Sequence, residues 1–226
     1  PKPENEMRFL KMILGEKGLV CVQGADHTKQ RRVISQAFKF EALQGIFPAF
    51  TRQADRLAAK WEAAADIGGT VKADADFGAV TLDALGEAAF GVDFGALEDR
   101  ESEVRAAYQA LFPTGGSQVF RLVYNYVLNQ FGALAKIPLG RVEQQRSAGR
   151  VIDKKVLEVI AGRREEARSG KGNGGDLLGQ MLDASDAEGG GGFSDEEVTD
   201  NVKTFLLAGH ETTSCTLTFA AYELAR

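Results

Sequence analysis

The chain has 226 residues, 44% hydrophobic and 26% charged, the mixture of one globular domain or a large part of one. Its 27 basic and 32 acidic residues leave a net charge of −5, which carries no nucleic-acid footprint. Two cysteines, Cys21 and Cys215, make neither a disulfide framework nor a metal cluster and suit a reducing compartment.

No uninterrupted apolar run reaches the ~20 residues needed to span a bilayer, and no signal peptide opens the chain. The chain begins Pro1-Lys2-Pro3 without a start Met and ends in mid-helix at Glu223-Leu224-Ala225-Arg226, so it reads as an interior fragment.

In chain order, Met7 to Leu14 is a short amphipathic segment, with Gly15 and Gly18 as breakers before the apolar run Leu19 to Val22. Asp26 to Phe38 reads as a helix. It puts His27 and Arg31 on one face, about 6 Å apart along the axis, and Val33, Ile34, Ala37 and Phe38 on the apolar side. An imidazole and a cation one turn apart suit the gripping of carboxylates; a solvated basic face has the same composition.

Residues 41–66 form a helix with Ile46, Phe50, Ala54, Leu57 and Trp61 at helical spacing. Gly68 and Gly69 end it, and Thr70-Val71-Lys72 suits a short extended piece. Phe77 to Phe90 is the next helix, with Phe77, Val80, Ala84, Leu85 and Ala88 on its apolar face. Its carboxylate pair Asp83 and Glu87 is assigned to solvent.

A charged helix over 98–112 is stopped by Pro113. Residues 119–134 are rich in large apolar side chains, which suit core, a mobile lid over a lipophilic ligand, or a membrane-touching surface. Residues 141–168 form a helix with Ile152, Val156, Val159 and Ile160 inward and Arg163, Arg164, Glu165 and Glu166 outward. Glycine-rich linkers at 169–175 and 188–192 bracket a short helix from Asp176 to Ala184, and neither linker has a phosphate-loop ending.

The last helix starts at the capping box Ser194-x-x-Glu197 and runs to Arg226, with Val198, Val202, Phe205, Leu206, Leu217, Ala220 and Leu224 as apolar positions. Its middle, Leu207-Ala208-Gly209-His210-Glu211-Thr212-Thr213-Ser214, holds poor helix formers. The Thr212 and Thr213 hydroxyls can bond back to carbonyls one turn earlier and loosen the helix. Gly209 leaves room for a flat group against the backbone, and Glu211 beside Thr212 can relay protons into a dry pocket. A core helix with a small-residue groove would look the same.

Ala208 to Thr213 resembles the central-helix motif Ala/Gly-Gly-x-Asp/Glu-Thr-Thr/Ser of the cytochrome P450 family, the haem-thiolate monooxygenases. Gly24, His27, Arg31, Arg32 and Phe38 resemble a second family helix, Gly-x-x-Trp/His-x-x-x-Arg-Arg/x with a Phe seven residues after the first Arg. Thr81 to Gly91 is similar to a family helix ending in Phe-Gly.

The resemblance implies a mainly α fold: the middle of the family's domain across 1–226, with a propionate-binding helix near 25–38 and an oxygen-activating helix near 195–226. It assigns His27 and Arg31 to the haem propionates. Ala208, Gly209, Thr212 and Thr213 would contact the haem, and Glu211 and Thr212 would deliver protons to bound dioxygen. Phe205, Ala208 and Thr212 would wall a pocket for a small lipophilic substrate. Electrons would come from NADPH through a reductase or from a ferredoxin, and Lys29 and Arg32 would meet that acidic donor.

The family's Glu-x-x-Arg pair and its ligand-cysteine segment are absent from these residues, so the chain alone is expected to be inactive. A truncated, non-catalytic helical interaction protein is the alternative. A zinc hydrolase built on His210-Glu211 fails because position 214 is Ser and the second His is distant His27. Location follows the source: membrane-associated for a eukaryotic member, cytoplasmic for a bacterial one.

Overall fold

The computed structural model describes residues 4–98, 102–111, 140–186 and 192–226. Among them every regular element is helical: α1 Glu4–Leu14, α2 Gly24–Ile34 with a 3₁₀ turn Ser35–Phe38, α3 Phe40–Asp66, α4 Ala73–Phe90, α5 Glu103–Leu111, α6 Gly140–Glu166, α7 Leu177–Asp186 and α8 Asp195–Ala225. The apolar stretch 119–134, Pro113 and most of the second glycine-rich linker lie outside the described residues.

The order of helices is the expected one, and α4 is the core. It packs along α8 on one side and α3 on another, while α5 packs on α6. Burial follows composition: Phe77, Ala79, Val80, Leu82, Ala88, Ala89 and Phe90 are all buried, so α4 is covered on nearly every side rather than along one stripe. Ala84 and Leu85 are only half-buried. The helix stops at Gly91, whose φ of 64° gives the left-handed C-cap, with the amides of Gly91 and Val92 returning to the Glu87 and Gly86 carbonyls.

Three sequence assignments change once helices meet. Asp83 is fully buried, not solvated; its carboxylate accepts the backbone N–H of Ala96 at 2.8 Å and of Leu97 at 2.9 Å, and so folds the loop after α4 back onto the helix. Glu87 is held by Arg52 and Gln53 of α3. Arg163 points inward from α6, where it bonds both oxygens of Asp176 (2.8 and 2.7 Å) and the carbonyls of Phe90 and Asn173. An arginine fork can satisfy two carbonyls and a carboxylate together, which makes its burial tolerable.

The α3 stripe also rotates relative to its periodicity. Ala49, Gln53 and Leu57 are buried, whereas Phe50 and Ala54 are exposed. Trp61 is half-buried, donating Nε1–H to Asp76 at 2.9 Å and packing edge-on to Phe77. Residues 69–72 join α3 to α4 without forming a strand.

The first turns of α8 form a polar seam that locates α2. Gln30 is fully buried; its Nε2 donates to the Lys17 carbonyl (2.7 Å) and Glu197 (3.0 Å), and its Oε1 accepts from Asn201 (3.0 Å). Asn201 accepts the Leu19 amide and Asp200 the Lys17 amide, both at 2.9 Å. Every buried polar group in this seam that is named here has a partner, which fixes how α2 lies against α8.

Candidate active site

The capping box forms as the sequence predicts: Ser194 accepts from the Glu197 amide and Glu197 accepts from the Ser194 amide. From there α8 runs unbroken to Ala225, so the weak helix formers at its centre do not interrupt it. Thr212 and Thr213 do bond back, donating to the Ala208 and Gly209 carbonyls at 2.7 and 2.8 Å. Each hydroxyl thereby uses its one proton inside the helix and leaves oxygen lone pairs free to accept.

The helix has two chemically distinct faces. Val198, Val202, Leu206 and His210 are buried in the core. Ala208 and Thr212 are exposed and Phe205 is half-buried. Glu211, Thr212, Cys215, Thr216 and Phe219 line one open, mainly apolar groove. Thr213 is exposed beside it.

Gly209 has a job that the sequence did not show. A Cβ there would stand 2.8 Å from Cδ2 and 3.0 Å from Cδ1 of Leu85, so the missing side chain lets α4 and α8 approach.

His27 is half-buried and Arg31 exposed on α2. Among the described residues neither side chain has an ion-pair partner. Lys29 differs: its ammonium binds Glu197 at 2.9 Å and the Gly192 carbonyl at 3.0 Å, and lies 5.7 Å from the centre of the Phe193 ring. It is therefore occupied inside the fold and is not free for an acidic partner; Arg32 remains exposed. The two motif helices meet through Phe38 and Phe205, whose ring centres are 6.0 Å apart. An unpaired guanidinium on α2 and an open apolar face on α8, joined at this aromatic contact, suit a flat apolar group that carries carboxylates.

Electrostatics separate the adjacent acid and imidazole. Burial pushes the Glu211 carboxyl above its ordinary range. Burial drives His210 down to about 4, although its bond to the Leu206 carbonyl opposes the shift. His210 is thus neutral near pH 7 and Glu211 is biased toward keeping its proton. The buried Tyr108 ring of α5 packs edge-on to His210 at 4.7 Å, a partner no sequence spacing could reveal. No group of three His, Cys, Asp or Glu among the described residues is arranged to hold a metal ion, and no helix among them is long and apolar enough to cross a membrane.

Comparison with known proteins agrees with the two motifs. The profile of the family described as Cytochrome P450 matches residues 4–226. Cytochrome P450 monooxygenase 128 of Postia placenta is 32% identical over 244 aligned positions, covering 100% of this chain and 44% of that protein. Cytochrome P450 monooxygenase FUM15 of Gibberella moniliformis is 29% identical, covering 100% of this chain and 38% of that protein. The crystal structure of the cytochrome P450DA heme domain superposes with a TM-score of 0.73 at 28% identity, over 97% of this chain and 44% of that one. The chain thus spans less than half the length of these relatives. With a profile match across nearly all of its residues, the chain belongs to the cytochrome P450 family.

Proposed function

We propose that these residues form the oxygen-activating and propionate-binding part of a haem-dependent monooxygenase, which puts one atom of dioxygen into a small lipophilic substrate. The observation that carries this reading is the open face of α8, where an acid with a raised pKa and a hydroxyl with free lone pairs line one apolar groove. When bound, the haem would supply the reductive cleavage of dioxygen.

This chain's own residues hold the group and manage protons. Arg31 would bind propionate oxygens by charge-assisted hydrogen bonds and His27 would add a second donor. Ala208 and Thr212 face the group, and Phe205 walls the substrate side. The Glu211 carboxyl, biased by burial toward its protonated form, would offer a proton at the groove edge, and the Thr212 oxygen would accept a hydrogen bond there. With the haem over this face the apolar lining would be shut off from water, leaving Glu211 to supply the proton and the Thr212 oxygen to accept a hydrogen bond. Gly209 acts by bringing α8 against Leu85, and direct haem contact falls to Ala208 and Thr212, with Thr213 at the margin.

Electrons come from NADPH through a reductase or a ferredoxin, with Arg32 on the exposed side of α2 as a contact. Isotopically labelled dioxygen tests the reaction class in the full-length, haem-loaded enzyme. One labelled atom should appear in the product and the other in water. Label in both product oxygens, or in neither, would refute the assignment.

A further inference from the structure

His210 sits next to the proton-holding acid, and none of the roles above uses it. Its side chain is 6% exposed, with Nδ1 at 3.2 Å from the Leu206 carbonyl and Nε2 at 3.5 Å from Glu211 Oε1. A carbonyl oxygen only accepts, so Nδ1 must carry the hydrogen. In the neutral ring Nε2 then presents a lone pair toward the carboxyl group. A lone pair repels a carboxylate oxygen and welcomes an acid O–H. Two further contacts surround the histidine: Tyr108 packs edge-on to the ring, and the Thr81 hydroxyl, whose proton goes to the Phe77 carbonyl at 2.8 Å, lies 3.2 Å from the His210 backbone carbonyl.

We propose that His210 is a positioning residue for Glu211: fixed as the Nδ1–H tautomer by the Leu206 carbonyl, it accepts the Oε1–H of Glu211 at Nε2 and parks that proton on the inner side of α8 until the carboxyl group rotates into the groove. This rests on the proton-relay reading of Glu211. The Glu211 side chain is 41% exposed, so it has room for that rotation and for the small movement that shortens 3.5 Å to a hydrogen bond. The proton stays on Glu211 while the carboxyl group rotates, its O–H hydrogen bond passing from Nε2 to an acceptor in the groove, and His210 remains neutral. The shifts described above agree: burial holds the imidazole neutral and favours the protonated acid. Of the groups facing this pair, Tyr108 from α5 is kept neutral by burial, and Thr81 from α4 does not titrate.

The test uses the full-length, haem-loaded enzyme in its diamagnetic ferrous carbon-monoxide form, with ¹⁵N-labelled histidine. The His210 resonances are identified by their loss in His210→Phe or, should that variant not fold, in His210→Gln. Nδ1 should be protonated, Nε2 should be an acceptor, and Glu211→Leu should move the Nε2 shift alone. As a second readout, the fraction of electrons lost as peroxide is followed against pH. The midpoint at which coupling is lost should fall by about one pH unit in His210→Phe, the effect of one ordinary hydrogen bond to the protonated acid. His210→Gln, whose side-chain carbonyl reaches toward the Nε2 position, should recover part of that fall. An Nε2–H tautomer overturns the proposal, as does an Nε2 shift indifferent to Glu211→Leu or an unmoved midpoint. Absence of the thiolate-type Soret band in the wild type would instead overturn the monooxygenase reading, so the two failures are distinguishable.

Discussion

Replacing Asp83 with Ala should destabilise the fold by about 2–4 kcal/mol. The carboxylate is fully buried and accepts two backbone N–H groups, at 2.8 and 2.9 Å. Truncation orphans both donors, at about 1–3 kcal/mol each, and removes the desolvation cost of the buried acid, which offsets part of the loss. Urea unfolding monitored by circular dichroism measures it as a lowered midpoint with an unchanged slope.

The same residue gives a pH signature. Burial pushes the Asp83 carboxyl above its ordinary range, against the Ala96 and Leu97 amides that pull it down. The folded protein therefore binds this proton more tightly than the unfolded chain. The stability this contributes is fully present below the unfolded value, ~3.9, and is lost as pH rises through the higher folded value. Asp83→Asn does not titrate, so the advantage of the wild type over that variant should shrink as pH rises across this window. A loss under about 1 kcal/mol in Asp83→Ala, or an advantage that grows with pH, would refute the reasoning.

Thr212→Ala should raise the peroxide released per NADPH oxidised, with substrate bound; an unchanged ratio counts against the hydroxyl's role in proton delivery. Arg31→Ala should weaken haem retention about 10- to 100-fold, the equivalent of about 1.5–3 kcal/mol for a charge-assisted contact, with a smaller effect from His27→Ala. Lys29→Ala should leave haem content intact and lower the urea midpoint, since its partner is Glu197; equal haem loss in both lysine and arginine variants would contradict their separation. Gly209→Val should cost about 1–3 kcal/mol by forcing Leu85 away from α8, read as a lower midpoint. Residues 1–226 expressed alone should give no thiolate-type Soret band, because Cys21 is buried ahead of α2 and Cys215 lines the groove proposed for oxygen.

What the sequence determined by itself was local. The helices themselves, the capping box at Ser194 and Glu197, and the back-bonding of Thr212 and Thr213 depend on residues within four positions of each other, and all appear in the structure. The two short motifs also sufficed to identify the family, because their residue order is specific.

Tertiary structure alone decided which polar groups went inside. Asp83, Gln30 and Arg163 have the composition of surface residues, yet Asp83 and Gln30 are fully buried and Arg163 half-buried, because distant backbone groups, or Asp176, meet their hydrogen-bonding needs. The rotation of the buried α3 stripe toward Ala49, Gln53 and Leu57 was likewise set by the α4 surface it covers, not by its own apolar spacing. The site divides the same way. Sequence placed Glu211 and Thr212 side by side, but only packing turned Gly209 toward Leu85, tied Lys29 to Glu197 and set Tyr108 against His210. Such contacts join residues up to 183 positions apart, and chain-local patterns do not encode which distant surface each side chain will meet.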